Sequence, residues 1–144
     1  MLRITTKGRY ALRAMLDLAC NQTDAPVTRE DIASRQGLPA TYLAQLFAAL
    51  TRAGLVDSVR GPGGGYVLGR PAEEITAGEV VRTVEGPVVP VACVGDASVC
   101  ERASKCSLRK LYGGLGQAIE NYLDSVTLAD LCRANLANLE LFAD

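Results

Sequence analysis

The chain of 144 residues has no histidine, which removes the commonest general base and a common metal ligand. No apolar run approaches the ~20 residues that a membrane span needs, and the N-terminus shows no signal-peptide apolar region before a small-residue cleavage site. The expectation is a cytoplasmic protein without a membrane partner. Net charge is also scarce, since 15 Lys and Arg stand against 16 Asp and Glu, a balance of −1. That balance conceals an asymmetry. Residues 1–70 carry nine basic and five acidic side chains, or +4, whereas residues 71–144 carry six basic and eleven acidic ones, or −5. A polyanionic partner is therefore expected on the N-terminal half. The length suits one domain, or a small domain with a dimerising extension, and 49% hydrophobic content is enough for a core.

The most informative stretch runs from Gly54 to Leu68. Two short β-branched runs flank Gly61, Pro62, Gly63, Gly64 and Gly65, with Arg60 at the edge, the pattern of a β-hairpin whose tip can approach another molecule closely. A phosphate-binding loop would need Lys-Ser/Thr and a helix after its last glycine, whereas Tyr66-Val67-Leu68 has strand character. A purely structural hairpin, its glycines only meeting positive φ, is the stronger rival. The run of five small or ring residues exceeds the needs of a tight turn and favours a wing.

The residues before the hairpin support that reading. Val27 to Ala53 reads as two short helices separated by Gly37, Leu38 and Pro39, and a helix-turn-helix followed by a wing is a DNA-reading arrangement. Thr28-Arg29-Glu30-Asp31 is a capping-box variant that opens the first of the two, with Gly37 beyond its end. The second places Leu43, Leu46, Phe47 and Leu50 on one face. It leaves Ala40, Thr41, Ala44, Gln45, Ala48 and Arg52 outward, a small and polar face suited to a major groove or, more plainly, to an Ala-rich surface with good helix propensity.

Around this unit, Thr6 to Asn21 reads as a largely buried helix with a narrow polar stripe of Arg9, Arg13 and Asp17. Thr76-Ala77-Gly78-Glu79 is a second capping box, opening a short helix with Val80, Val81 and Val84 inward that ends at Gly86. Pro87 to Pro90 is a linker by composition. Over residues 107–126, Leu108, Leu111, Tyr112, Leu115, Ile119, Tyr122, Leu123 and Val126 form one stripe, expected to pair with its counterpart in a homodimer. Thr127 to Asp130 caps a last helix that runs to about Phe142.

Cys93, Cys100 and Cys106 lie in a polar segment with neither helical nor strand period. Cys20 and Cys132 fall at expected core positions of their helices. In a reducing compartment five cysteines point to metal ligands, sensors or core filler rather than a disulfide framework. Three thiols spaced by six and five residues, with no histidine available, favour iron–sulfur or zinc, with a thiol–disulfide switch as the alternative. An iron–sulfur cluster ordinarily takes four protein ligands, so one is not accounted for.

The chain resembles the IscR-type (Rrf) family of bacterial winged-helix transcription regulators, which use a cluster-binding loop to report on iron–sulfur status, nitric oxide or redox state. The resemblance runs through Thr6-Lys7-Gly8-Arg9-Tyr10-Ala11, Tyr42-Leu43-Ala44-Gln45-Leu46-Phe47, Val59-Arg60-Gly61-Pro62-Gly63-Gly64-Gly65-Tyr66 and Asp124-Ser125-Val126-Thr127-Leu128. Gly8 sets it apart from the nitric-oxide-sensing branch, which carries an aspartate there. The resemblance implies that Ala40, Thr41, Tyr42 and Gln45 face the major groove of an operator, that Arg60, Gly61, Pro62 and Gly63 enter the minor groove, and that Thr28 belongs to the same surface. It further implies a 2Fe-2S cluster on Cys93, Cys100 and Cys106, with 4Fe-4S as the alternative. Two departures stand out: Arg109 occupies the position of the family's histidine ligand, and Ala44 replaces a glutamate that helps to discriminate between DNA sites.

The expected fold is mainly α with a small β-hairpin wing. A winged helix-turn-helix domain spans 1–86, a linker and cysteine loop 87–106, and a long dimerisation helix with a C-terminal helix 107–144. The expected function is that of a homodimeric regulator, mainly a repressor, bound to double-stranded DNA under control of an iron–sulfur cluster, with no catalytic residues. A zinc-bound or thiol-switched repressor is the alternative. An iron–sulfur carrier that binds no DNA is a weaker one, disfavoured by the +4 half and the bare outward helix face.

Overall fold

A computed structural model describes residues 2–136; the expected extension of the last helix to Phe142 lies outside them. The order is α1 (Thr6–Asn21), α2 (Arg29–Gln36), α3 (Ala40–Arg52), β1 (Val56–Val59), β2 (Gly65–Leu68), α4 (Ala77–Glu85), α5 (Ala92–Gly95), α6 (Ser107–Asp124) and α7 (Leu128–Leu136). The chain is mainly helical, with one antiparallel hairpin in which Val56 pairs with Leu68 and Val59 with Gly65.

The local signals act where they stand. Thr28 Oγ1 accepts from the Asp31 amide and Gly37 closes α2 in the left-handed region, φ 62°. Thr76 and Glu79 form a reciprocal capping box on α4. Thr127 and Asp130 do the same for α7, each side chain accepting from the other's amide at 3.0 Å. Met15, Leu18, Ile32, Leu43, Phe47, Leu50, Val80 and Leu128 meet in a single core. Leu128 enters it because the chain returns beside α4, where Leu128 N donates to Ile75 O at 2.8 Å and Ala77 N to Val126 O at 2.8 Å. Asp17, the one buried charged residue among those described, accepts from Arg35 Nε and Nη2 and from Gln36 Nε2, and so fixes α1 to the end of α2.

Two expectations fail. Cys20 and Cys132 do not fill the core: Cys20 is exposed near the end of α1 and Cys132 is half-buried on α7. They form a disulfide with their Cα atoms 5.5 Å apart, 112 residues apart in sequence. Helical periodicity separates the sides of a helix but not the rim of its apolar stripe from the middle, and a long-range pairing leaves no local trace. The cysteine segment is also more ordered than its lack of period suggests. It folds into α5 and two 3₁₀ turns, Ala97–Val99 and Ala103–Lys105, units too short for a periodicity to register.

Pro87 to Pro90, a linker by composition, packs against α6. Val88 N donates to Glu120 Oε1 at 3.0 Å, and a Cβ at Gly116 would lie 3.0 Å from Pro90 Cδ and 3.1 Å from Val88 O, a fit that a side chain there would have to push apart by a few tenths of an ångström.

Candidate nucleic-acid interface and cysteine loop

The wing is fastened from two directions. Tyr66 stacks on Phe47 of α3, ring centroids 4.2 Å apart. Its backbone exchanges hydrogen bonds with Val27, just before α2, at 2.9 and 2.8 Å. Wing, α2 start and α3 are thus a fixed unit, and the tip residues Arg60, Gly61, Pro62 and Gly63 are exposed.

The glycines of the tip have structural reasons of their own. Gly61 and Gly63 adopt φ 90° and 74°, and a Cβ on Gly64 would strike the Val59 carbonyl. Turn geometry therefore accounts for the glycine count that favoured a wing, and the case for DNA contact rests on Arg60 and on the neighbours of the hairpin. Of the α3 residues, Thr41, Gln45, Ala48 and Arg52 are exposed, while Ala40, Ala44 and Tyr42 are half-buried. The Tyr42 ring packs edge-to-face with Tyr10, centroids 5.8 Å apart. Thr28 is half-buried beside the wing. Arg29, not singled out from the sequence, lines the same groove.

Cys93, Cys100 and Cys106 are free thiols, each partly accessible, on three successive short turns that lead into α6. Arg109 Nε donates to the Cys93 carbonyl at 2.7 Å. The guanidinium offers no acceptor and is not a ligand; it ties the loop to the first turn of α6. Asp96 Oδ1 accepts from the Ser98 hydroxyl at 2.7 Å and the Ser98 amide at 2.9 Å, which hold its carboxyl below the usual range. Three soft thiols on one segment fit an iron–sulfur cluster by donor chemistry. Among the described residues, however, no three Cys, Asp or Glu side chains stand close enough to share a metal ion. Ligation would draw the turns together, as metal binding coupled to local folding does.

The possible fourth donors narrow. Cys20 and Cys132 lie against each other on α1 and α7 rather than on the loop turns. The start of α1 is committed to Glu85, whose Oε1 accepts from Thr5 N and Gly8 N at 2.9 Å each. A side chain at Gly8 would collide with that carboxylate. No helix among the described residues is long and apolar enough to cross a membrane.

Comparison with known proteins agrees with this architecture. The HTH-type transcriptional regulator IscR of Photobacterium profundum is 46% identical over 134 residues, 93% of this chain and 77% of that protein. Among solved structures, CymR, the global cysteine regulator of B. subtilis, superposes with a TM-score of 0.76 at 43% identity, covering 92% of this chain and 98% of that one. T. potens IscR gives 0.75 at 40% identity, covering 93% and 88%. Such relatives are regulators rather than enzymes. Residues 4–134 match the family described as Rrf2, iron-dependent transcriptional regulator, and with the wing, the helix-turn-helix and the cysteine loop in place the chain belongs to the Rrf2 family of DNA-binding transcriptional regulators.

Proposed function

We propose that the protein is a cytoplasmic homodimer that reads a pseudo-palindromic operator and whose DNA binding follows the state of Cys93, Cys100 and Cys106. The single observation behind this reading is the hydrogen bond from Arg109 to the Cys93 carbonyl, which makes the thiol-bearing turns and α6 mechanically continuous. On α6, Leu108, Leu111, Leu115 and Tyr122 are exposed, Leu111 by 62%. An apolar stripe of this extent on a helix favours burial against a second copy. Residues 107–144 would then pair the protomers, 87–106 would carry the signal and 1–86 would read DNA. Any change in the turns moves the start of α6, and α6 sets the separation of the two α3 helices.

The cysteines would hold a 2Fe-2S cluster, which when bound supplies a redox-active, oxygen-sensitive centre. The fourth position is left to an oxygen donor such as Asp96, Glu101, Ser104 or Ser107, or to an exchangeable small molecule. A hard donor on a thiophilic centre exchanges readily, so occupancy tracks supply.

Ala40, Thr41, Tyr42 and Gln45 would face the major groove, beside Thr28, and Arg60 would enter the minor groove with Gly61, Pro62 and Gly63. Arg60→Ala should weaken operator binding by ~1–3 kcal/mol with dimerisation intact. Binding within a few tenths of a kcal/mol of wild type would refute the wing contact. Ala44 brings no negative charge to the recognition surface. Ala44→Glu should therefore narrow the set of sites bound by protein stripped of iron, through repulsion of unsuitable ones. Selection from a random duplex pool reads the outcome, and an unchanged set counts against it.

The Cys20–Cys132 disulfide favours a second input. A regulator bound to DNA works in a reducing compartment, where a disulfide is ordinarily transient and redox-sensing. Oxidation by a peroxide would take two electrons and two protons from the thiols and release water, tying α7 to α1. Mass spectrometry of protein trapped with alkylating reagent before and after peroxide tests this. Thiols at 20 and 132 that stay alkylatable after peroxide would exclude it.

A further inference from the structure

Arg29 is the first residue of α2, a position where a cation opposes the helix dipole, so helix stability does not account for it. Its Nε is the one buried side-chain polar atom among the described residues that lacks a hydrogen-bond partner. The side chain as a whole is 39% exposed, and Nη2 makes only a long 3.4 Å contact with Glu30 Oε1, on a side chain 68% exposed. An unmet guanidinium donor is costly wherever water cannot reach it.

The surroundings indicate what would satisfy it. Thr28, Arg29, Ser58, Gly61, Gly64 and Tyr66 line an open groove of about 270 Å³ between the start of α2 and the wing. The Val27–Tyr66 backbone pair holds its two walls together. Of the first-turn amides of α2, that of Asp31 is capped by Thr28 Oγ1, and the groove opens beside Val59 and Gly61, which flank Arg60. The nearby carboxylates are Glu30, in the groove, and the exposed Asp31 and Asp57. A duplex approaching α3 and the wing together brings its backbone here.

We infer that Arg29 is a DNA-phosphate contact and that Glu30 competes with the phosphate for it. The inference rests on the DNA-reading assignment and extends it to a residue outside the recognition helix and the wing tip. A phosphate oxygen accepts from the fork of the guanidinium in a charge-assisted geometry that Glu30 only approximates. When DNA binds, the exposed Glu30 side chain swings into solvent.

The test is the salt dependence of binding of the full chain to a short mixed-sequence DNA duplex, followed by fluorescence anisotropy for wild type, Arg29→Ala, Arg29→Lys, Glu30→Gln and Arg60→Ala. Loss of one phosphate contact should reduce the slope of log K against log salt by ~0.9 in Arg29→Ala, with roughly tenfold weaker binding at low salt. Arg29→Lys should keep most of the slope. Glu30→Gln should bind up to about fivefold tighter. Competition further requires that the gain from Glu30→Gln disappear in the Arg29→Ala background, whereas general charge repulsion would leave it unchanged there. Arg29→Ala with the wild-type slope, or Glu30→Gln weaker than wild type, would overturn the inference while wild-type binding leaves the DNA-reading assignment standing. A wild-type protein that binds no duplex would overturn both. Circular-dichroism melting checks that each variant is folded, and Arg29→Lys carries the test if Arg29→Ala is not.

Discussion

Alanine at Cys93, Cys100 or Cys106, one at a time, is expected to abolish the visible chromophore of the anaerobically purified protein and to bring its iron and sulfide to background. The three thiols are the soft donors that remain free, on turns that follow one another within fourteen residues. With histidine absent, loss of one thiol leaves two soft ligands and only hard oxygen donors to replace it, too few to retain iron and sulfide. Cys20→Ala and Cys132→Ala should keep the chromophore, because those two sulfurs lie within bonding distance of each other on α1 and α7 and not on the loop turns. A full cluster in any loop variant would refute the ligand assignment. Its loss in a folded Cys20→Ala or Cys132→Ala protein would move a ligand there.

Reduction of the Cys20–Cys132 bond should produce the largest change in stability. It closes a loop spanning 112 residues, for which the chain-entropy account gives ~4–5 kcal/mol at 25 °C. That is a large share of the ~5–15 kcal/mol typical of a folded domain. Urea unfolding of iron-free protein with and without a thiol reductant should show the midpoint falling, and Cys132→Ala should show the same fall with no further response to reductant. Equal midpoints in oxidised and reduced protein would refute the chain-entropy account of this bond or show that it is not formed in solution.

Local chemistry was legible in the sequence and long-range chemistry was not. Thr76 with Glu79, Gly37, and the Leu43–Leu46–Phe47–Leu50 face act within one or two helical turns, and periodicity and capping report at that range. The hairpin was likewise readable from its Gly/Pro tip. The functional meaning of the glycines was not, because the carbonyl of Val59 that excludes a side chain at Gly64 comes into view only once the strands pair. The disulfide, the Glu85 grip on the start of α1 and the Arg109 tie to Cys93 each join residues 16 to 112 positions apart. Arg29 read as part of a capping box; the buried, unpartnered Nε that distinguishes it, beside a groove lined by both α2 and the wing, is a property of the folded chain.

The most direct test compares DNA binding by one preparation in two states: purified without oxygen, and stripped of iron by chelation under reducing conditions. Duplexes selected from a random pool by each state, and affinities for the selected sequences, are measured at one salt concentration. The account predicts that stripping changes the preferred sequence or shifts the affinity by at least about tenfold, the lower range of a ~1–3 kcal/mol coupling. The same sequences bound with the same affinity, by an untreated preparation verified to contain iron and sulfide, would contradict it.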